Sequence, residues 1–487
     1  MTSLIVVDRP ELWPLSITGV EVAAARDYLT LDEFGRRRHT RVFNLCRSYR
    51  YQSTGYYVSL LGEARGHRPM PSVGTLQDLR SPAIIRIASE DLAQLIKSSL
   101  ASLRSDAFTL SIYFGRNMAT RYQTLCTRLF SHFQTPLLRV QFVHKANEWQ
   151  IRNVRVIAAR EIPESHHSFV IESAIRYFGS RQRGKRPADS RYDLAILHDQ
   201  DEKDTPSNAR ALDRFVRAAA SLGIATRFIT QDDSARLAEF DALFIRATTR
   251  VNHYTYRFSQ RAEAEGLVVV DAPRDIIRCS NKVYLAERLT RHRVATPKTM
   301  IVHAGNRQHI IELLKLPCIL KQPDSAFSQG VHKVDTQAEL NEKLDALFDI
   351  SDLVVAQSFL PTDFDWRIGV LDGVPLFACR YYMARRHWQI VRRDGERIIE
   401  GNADTLAVED APAEVIRIAL RATRLIGRGL YGVDIKQSRN RCYVIEINDN
   451  PNIDAGIEDA VLKGALYDRV MRYFLDSIEK RKAARTT

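Results

Sequence analysis

Two consecutive apolar runs near the C-terminus carry oxygen side chains where strands normally carry hydrocarbon. They are Tyr431-Gly-Val-Asp434-Ile-Lys436 and Cys442-Tyr-Val-Ile-Glu446-Ile-Asn448-Asp449-Asn450-Pro451, joined by a short polar turn. This pattern demands a hairpin and something that holds Asp434, Glu446 and Asn448 inside it. Side chains alternate faces along a strand, so Cys442, Val444, Glu446 and Asn448 fall on one face and Tyr443, Ile445 and Ile447 on the other. A three-residue loop Ser438-Arg439-Asn440 pairs Gln437 with Arg441 and sets Asp434 opposite Val444, on the face of Glu446. An even-length loop turns Asp434 to the wrong side. With the odd loop, three hard oxygen donors converge, a set suited to Mg²⁺, which takes few protein carboxylates and leaves other positions to water and phosphate. The bland alternative is an acidic strand edge kept soluble by its charge.

Upstream, Pro317-Cys-Ile-Leu-Lys321 reads as a short buried strand ending in lysine. Gln322-Pro-Asp-Ser325-Ala-Phe-Ser328-Gln-Gly330 follows it at once. Backbone N–H groups of such a loop, with the hydroxyls of Ser325 and Ser328, suit phosphate oxygens, and Gly330 allows unusual backbone angles or close approach. The alternative is an ordinary turn. Ser280-Asn281-Lys282 opens an amphipathic stretch and offers a second cation, although a lone lysine there is by default a solvated helix residue.

The order of these features is more specific than any one of them. A lysine at a helix start and a lysine before a Ser/Gly loop are followed by Val354-Val-Ala-Gln357-Ser358-Phe359-Leu360, by Asp365-Trp366-Arg367 and by a strand-borne Arg380. Asp434, Glu446 and Asn448 complete the series. Over residues 191–475 the chain resembles the ATP-grasp superfamily, and within it the RimK-like ligases. The resemblance implies ATP and Mg²⁺, with Mn²⁺ as a substitute, as cofactors. It implies that Lys282 and Lys321 bind the α- and β-phosphates, that the backbone from Gln357 to Phe359 grips adenine, and that Asp365 lies near the ribose. Arg380, with Arg367 nearby, would act at the γ-phosphate as the catalytic cations, and Asp434, Glu446 and Asn448 would be the metal ligands. Two segments depart from the family: Arg385-Arg386-His387-Trp388-Gln389 stands where those ligases carry Arg-x-Asn, and Pro451-Asn452 where they carry Pro-Gly. Both face substrate, so His387, Asn450 and Asn452 are expected substrate contacts, with Arg246, at a strand end, another, and acceptor and donor cannot be copied from other members.

The expected fold is α/β and α+β: a parallel-sheet pre-ATP-grasp domain, two α+β lobes clamping ATP, and an extra α+β N-terminal domain. The boundaries fall at 1–160 for the N-terminal domain, 161–190 for a helical connector and basic linker, 191–272 for the pre-ATP-grasp domain and 273–487 for the grasp. Strand-helix-strand alternation after Tyr192 requires a parallel sheet with ligands at the carboxyl ends of its strands, where His198, Asp199 and Arg246 lie. In the first 160 residues a helix over 89–103 with an apolar stripe precedes a long hairpin turning at Lys145–Glu148. The segment 44–79 resembles the N-terminal domain fused to some RimK-like proteins.

At 487 residues the chain expects about three domains. No run of ~18 uncharged apolar residues and no signal pattern are present, so membrane association is not expected and the cytoplasm is. Six cysteines without C-x-x-C spacing read as reduced core residues. The net charge of +13 is dispersed, and no aromatic-basic recognition module accompanies it, so nucleic acid is not the expected partner. The expected partners are ATP, a carboxylate and an amine; the state of oligomerisation, a homo-oligomer included, stays open.

The resemblance implies an ATP-dependent carboxylate-amine ligase that forms an amide through an acylphosphate, with an amino acid, glutamate favoured, as one substrate. A kinase that stops at phosphoryl transfer, or a nucleotide-binding regulator working through its N-terminal domain, are the alternatives.

Overall fold

The computed structural model describes residues 2–13, 17, 20–37, 40–145, 148–179, 190–202, 205–324, 330–385, 387–394, 397–439 and 441–484. The chain divides into two compact units, Met1–Arg186 with Asp232–Arg236, and Pro187–Gln231 with Leu237–Thr487. Most of the expected basic linker, including Arg181 to Arg186, lies outside the described residues, as do Ser325, Ser328 and Arg386.

Unit 1 opens with four parallel strands, β1 Thr2–Val7, β2 Glu21–Ala24, β3 Thr40–Asn44 and β4 Arg68–Met70, in the order β2-β1-β3-β4. Near-continuous apolar runs such as Leu4 to Val7 suit a sheet covered on both faces, and both are buried: Leu4, Val6 and Val42 against Tyr28 and Val58, and Ile5, Val7 and Phe43 in the larger core. That larger core continues into an antiparallel sheet of β5 Ala107–Tyr113, β6 Leu137–Lys145 and β7 Glu148–Val156. The long hairpin is present as expected, with a third strand and the parallel sheet that the sequence reading did not see. The single helix expected over 89–103 is two, Pro82–Asp91 and Ala93–Leu100, because Leu92 leaves helical geometry between them.

Unit 2 begins with a second parallel sheet, β8 Tyr192–Leu197, β9 Ile224–Ile229, β10 Ala242–Ile245 and β11 Val268–Val270, paired in the order β9-β8-β10-β11. The helix Ala209–Ser221 is capped by Asn208, whose side chain accepts from the Ala211 N–H. Next comes an antiparallel sheet of β12 Thr299–Val302, β13 Cys318–Lys321, β14 Val331–Val334 and β15 Val354–Ser358, ordered β12-β15-β13-β14. The last large sheet has β16 Phe364–Leu371, β17 Val374–Tyr382, β20 Ala403–Leu406, β21 Leu430–Ser438 and β22 Arg441–Asn448, in the order β20-β17-β16-β21-β22. The small hairpin β18 Val391–Asp394 and β19 Arg397–Glu400 stands apart from it. One face of the large sheet packs Trp366, Ile368, Val433, Ile435 and Val444 under Val415, Ile418 and Ala422 of the helix Ala413–Thr423. All six cysteines are buried and unbridged. Among the described residues no helix is long and apolar enough to cross a membrane.

Candidate active site

The hairpin that opens the sequence argument reaches its geometry by a different route from the expected one. Ser438 pairs with Arg441 and Gln437 with Cys442, so the loop is the two-residue Arg439-Asn440, with Arg439 at φ 53°. That even loop should have turned Asp434 away. A register shift between Asp434 and Ile435 undoes this: Ile435 pairs with Val444, but Asp434 pairs with Glu446, leaving Ile445 as an extra residue. A β-bulge of this kind breaks strict alternation. Cys442, Val444 and Ile447 thus all enter the core beneath the sheet, while Glu446 and Asn448 take the opposite face.

Directly paired residues share a face, so the pairings show what stands together. Arg367 pairs with Asp434 and Asp434 with Glu446, one row across three strands; Gly369, Gly432 and Asn448 form the next. Arg367 holds Asp434 with two bonds, Nε to Oδ1 at 2.5 Å and Nη2 to Oδ2 at 2.9 Å, the fork geometry that fixes a carboxylate. Asn448 Nδ2 donates to Asp434 Oδ2 at 3.2 Å. Gly432 is required here, since a Cβ would stand 2.8 Å from Pro451 Cβ and 3.1 Å from Arg367 Cδ. Lys436, which the sequence reading passed over, lies on the same face and binds Asp365 at 2.6 Å and Thr362 at 2.7 Å. Its position two residues after Asp434 was the available signal. Asp365 is thus an ion-paired, buried carboxyl, raised above its usual range by burial, against which Lys436 pulls.

Arg380 is corrected. It pairs with Trp366, whose ring is buried under the helix, so it lies on the face opposite Glu446. There it bonds Asp404 at 3.1 Å and 2.5 Å and stacks near Phe364 and Trp366. One residue of strand parity separates Arg367, which belongs to the carboxylate row, from Arg380, which does not.

Two lysines approach the row. Asn281 caps the helix Lys282–Arg291 by accepting from the Tyr284 N–H, and this fixes Lys282 so that its Nζ lies 3.0 Å from Glu446 Oε1. Lys321 ends β13, is 7% exposed, and its pKa is lowered to about 8 by burial, with Lys282 adding to the fall and Glu446 opposing it. Burial alone would raise Glu446, but Lys282 and Lys321 bring it below its usual value. Beside the lysines a pocket is lined by Leu285, Leu289, Val355, Gln357 and Val444. Gly330, at φ 66°, accepts from the Gln322 N–H across the mouth of the loop after Lys321.

Other expected contacts are redirected. Gln357 donates to Thr299 at 2.9 Å, and the N–H groups of Ser358 and Phe359 bond the carbonyls of Lys298 and Pro317, so those two donors are engaged by the sheet rather than offered to a base. Arg246 is 1% exposed and clasps Ser207, Pro206, Asn450 at 2.7 Å and Pro451 at 2.9 Å. The Asn450 amide also donates to the Ala247 carbonyl at 2.7 Å. Both residues expected at the substrate tie the chain after β22 to the end of β10 instead. His387 bonds Gln389 at 3.2 Å and packs beside Trp388, and Asn452 is half-buried.

The donor set fits a small hard cation. Two facing carboxylates and an amide fall short of a full cage, and among the described residues no three His, Cys, Asp or Glu side chains form one. Such a set is what Mg²⁺ uses when phosphates complete its shell. Three cations stand by this donor set: Lys282 on Glu446, Arg367 on Asp434, and the buried Lys321, whose charge acts on Glu446.

The RimK-like ATPgrasp N-terminal domain matches residues 25–173 and the ATP-grasp domain residues 279–453. The two matched segments make the chain similar to ATP-grasp proteins that carry a RimK-like N-terminal domain. It is similar to a probable alpha-L-glutamate ligase of Parasynechococcus marenigrum, 26% identical over 233 residues, 47% of this chain but only 48% of that protein. It is also similar to one from Vibrio vulnificus, 25% identical over 239 residues, 48% of this chain and 76% of that protein. The alpha-aminoadipate–LysW ligase LysX of Saccharolobus solfataricus is 27% identical over 199 residues, 39% of this chain and 68% of that protein. Among solved structures, the D-alanine–D-alanine ligase of Bacillus anthracis aligns with TM-score 0.47 at 15% identity, covering 60% of this chain and 99% of that one.

Proposed function

We propose that the protein is an ATP-dependent carboxylate-amine ligase, with an amino acid, glutamate favoured, as one substrate. The observation that carries the reading is the row Arg367, Asp434, Glu446 with Lys282 on Glu446 and Lys321 buried nearby. The names of the relatives, two glutamate ligases and an aminoadipate ligase, support the amino-acid substrate.

A carboxylate is a poor electrophile, and phosphorylation turns it into an acylphosphate that an amine displaces with loss of phosphate. In this reading Lys282, Lys321 and Arg367 bind the phosphate chain and stabilise the charge that grows on the transferred group. Lys321 gains most from an anion, because a phosphate beside it offsets the burial that lowers its pKa. Asp434, Glu446 and Asn448 would hold Mg²⁺, which would supply charge neutralisation for the phosphate chain. Arg367 orients Asp434 and Lys282 orients Glu446. Residues 191–272 form the pre-ATP-grasp domain in this assignment and 273–487 the grasp.

The test is incubation of the protein with ATP, MgCl₂ and pooled amino acids, following nucleotide products and mass, with Glu446→Ala alongside. ADP, phosphate and a condensed mass that vanish in the variant are expected. AMP with pyrophosphate overturns the acylphosphate route.

A further inference from the structure

The parallel sheets of the two units are the same construction, and the match separates what the fold requires from what it does not. In both, the edge strand, the first strand, the third and the fourth lie in that order, all parallel. The third strand leads to an eleven-residue helix, Thr54–Ala64 or Tyr254–Ala264, then to a three-residue strand, β4 or β11. Tyr56, Ser59, Glu63, Ala64 and Gly66 recur as Tyr256, Ser259, Glu263, Ala264 and Gly266. Ser59 Oγ donates to the Pro71 carbonyl at 2.7 Å, and Ser259 Oγ to the Asp271 carbonyl at 2.5 Å, closing the same joint after the last strand.

At that joint unit 1 has an uncharged ring and unit 2 a carboxyl. Asp271 is 3% exposed, and its Oδ2 has no hydrogen-bond partner. Since the same backbone closes with proline in unit 1, the fold does not need the carboxyl. Burial holds it well above the ordinary range and Asp449 adds to the rise; Arg246 opposes, and Asp275 is the remaining charge that faces it. A buried carboxyl oxygen without a partner costs stability, and one kept at the carboxyl edge of a parallel sheet lies where such sheets take ligands. Two further acceptors at strand ends are also unpartnered: the Thr248 hydroxyl after β10 and Asp449 Oδ2 after β22, with Asp449 5% exposed. The nearest cation, Arg246, is already clasped by Ser207, Asn450 and Pro451. A positive group beside these carboxyls favours their ionised form, and an alkylammonium, with three N–H donors and no acceptor, complements them and the hydroxyl.

We infer that Asp271, with Asp449 beside it and Thr248 at the neighbouring strand end, holds the ammonium group of the amine substrate. This rests on the ligase reading and assigns the amine to the pre-ATP-grasp side of the site. Asp271→Asn keeps the shape and removes the group that can ionise against an ammonium. The full-length protein is assayed for ADP release with ATP, MgCl₂ and each protein amino acid singly, and its Tm is measured with and without each. In the variant KM for the active amine rises about 30-fold with kcat within about threefold. ADP affinity holds and Tm is unchanged or higher, which a structural role would not give. Thr248→Val gives a smaller rise in KM and serves if Asp271→Asn does not fold. An unchanged KM, or a lowered Tm with KM and kcat moving together, overturns the proposal, and so does a Tm shift from MgCl₂ alone that the variant loses. Should the wild type bind ADP yet turn over no amino acid, the ligase reading fails separately. Asp271 is then decided by Tm: a shift with a single amino acid that is lost in Asp271→Asn supports the ammonium site, and no shift in the wild type overturns it.

Discussion

The two parallel sheets share an order of strands, a helix length and a serine-closed joint, yet their carboxyl edges are opposite in kind. In unit 1 the edge is closed by its own side chains. Asn44 Nδ2 donates to the Gly55 carbonyl at 2.6 Å and to Ser59 at 2.9 Å, its Oδ1 accepts from the Cys46 N–H at 3.3 Å, and Tyr49 caps the Asn44 carbonyl at 2.8 Å. The loop after β3 lies so close to the helix Thr54–Ala64 that a Cβ on Gly55 would collide with the Ser48 carbonyl and stand 2.9 Å from Cys46 Cβ. In unit 2 the same edge leaves the Thr248 hydroxyl and Asp271 Oδ2 unpartnered. The lesson is that the fold supplies a crevice and the side chains decide whether it is filled by protein or kept for a ligand.

The sharpest way to break this contrast is to remove the chemistry from unit 2. Glu446→Ala is expected to lower ADP formation about 10³-fold while the protein still melts cooperatively, as read by coupled ADP assay and by calorimetry. Gly55→Ala tests the closed edge of unit 1. The collision should cost about 3 kcal/mol, measured by urea unfolding followed in unit 1, and activity of the folded fraction should persist. Next is pH. Lys321, with its pKa lowered to about 8, is fully charged only below that value. Nucleotide affinity should therefore fall above pH ~8 by up to about tenfold per unit, and Lys321→Arg should remove the dependence, by titration calorimetry. Stability moves the other way: the unfolded lysine keeps its proton to higher pH, so the native state gains relative stability as pH rises through the window above about 8. The smallest effect is at Thr255, the counterpart of Gly55, whose hydroxyl donates to the Thr248 carbonyl at 3.1 Å. Thr255→Ala should cost about 1 kcal/mol, since an open edge has no collision to suffer.

Much of the site was legible because its residue types are costly in strands. Asp434, Glu446 and Asn448 on apolar runs led to the expectation of a chelating face, and Lys282 at a helix start and Lys321 at a strand end to that of anion binding; the structure pairs Asp434 with Glu446 and brings Lys282 to Glu446. The duplicated sheet was not legible, although five identities at a constant spacing of 200 were there to find; the remaining positions conserve only apolar character and strand length. Arg380, placed at the γ-phosphate by the family resemblance, lies on the opposite face of its strand, and Arg246, placed at the substrate by its strand end, is tied to Asn450 and Pro451.

What the sequence determined by itself was which elements form and which chemistry they bring, since hydrophobic period, caps and buried charges are local properties. What only the tertiary structure decided was which side of a strand each charge takes. A single bulged residue, Ile445, put Asp434 opposite Glu446 against the parity of its loop, and strand pairing put Arg367 inside the site and Arg380 outside it. Both depend on register between distant segments, which no local pattern encodes.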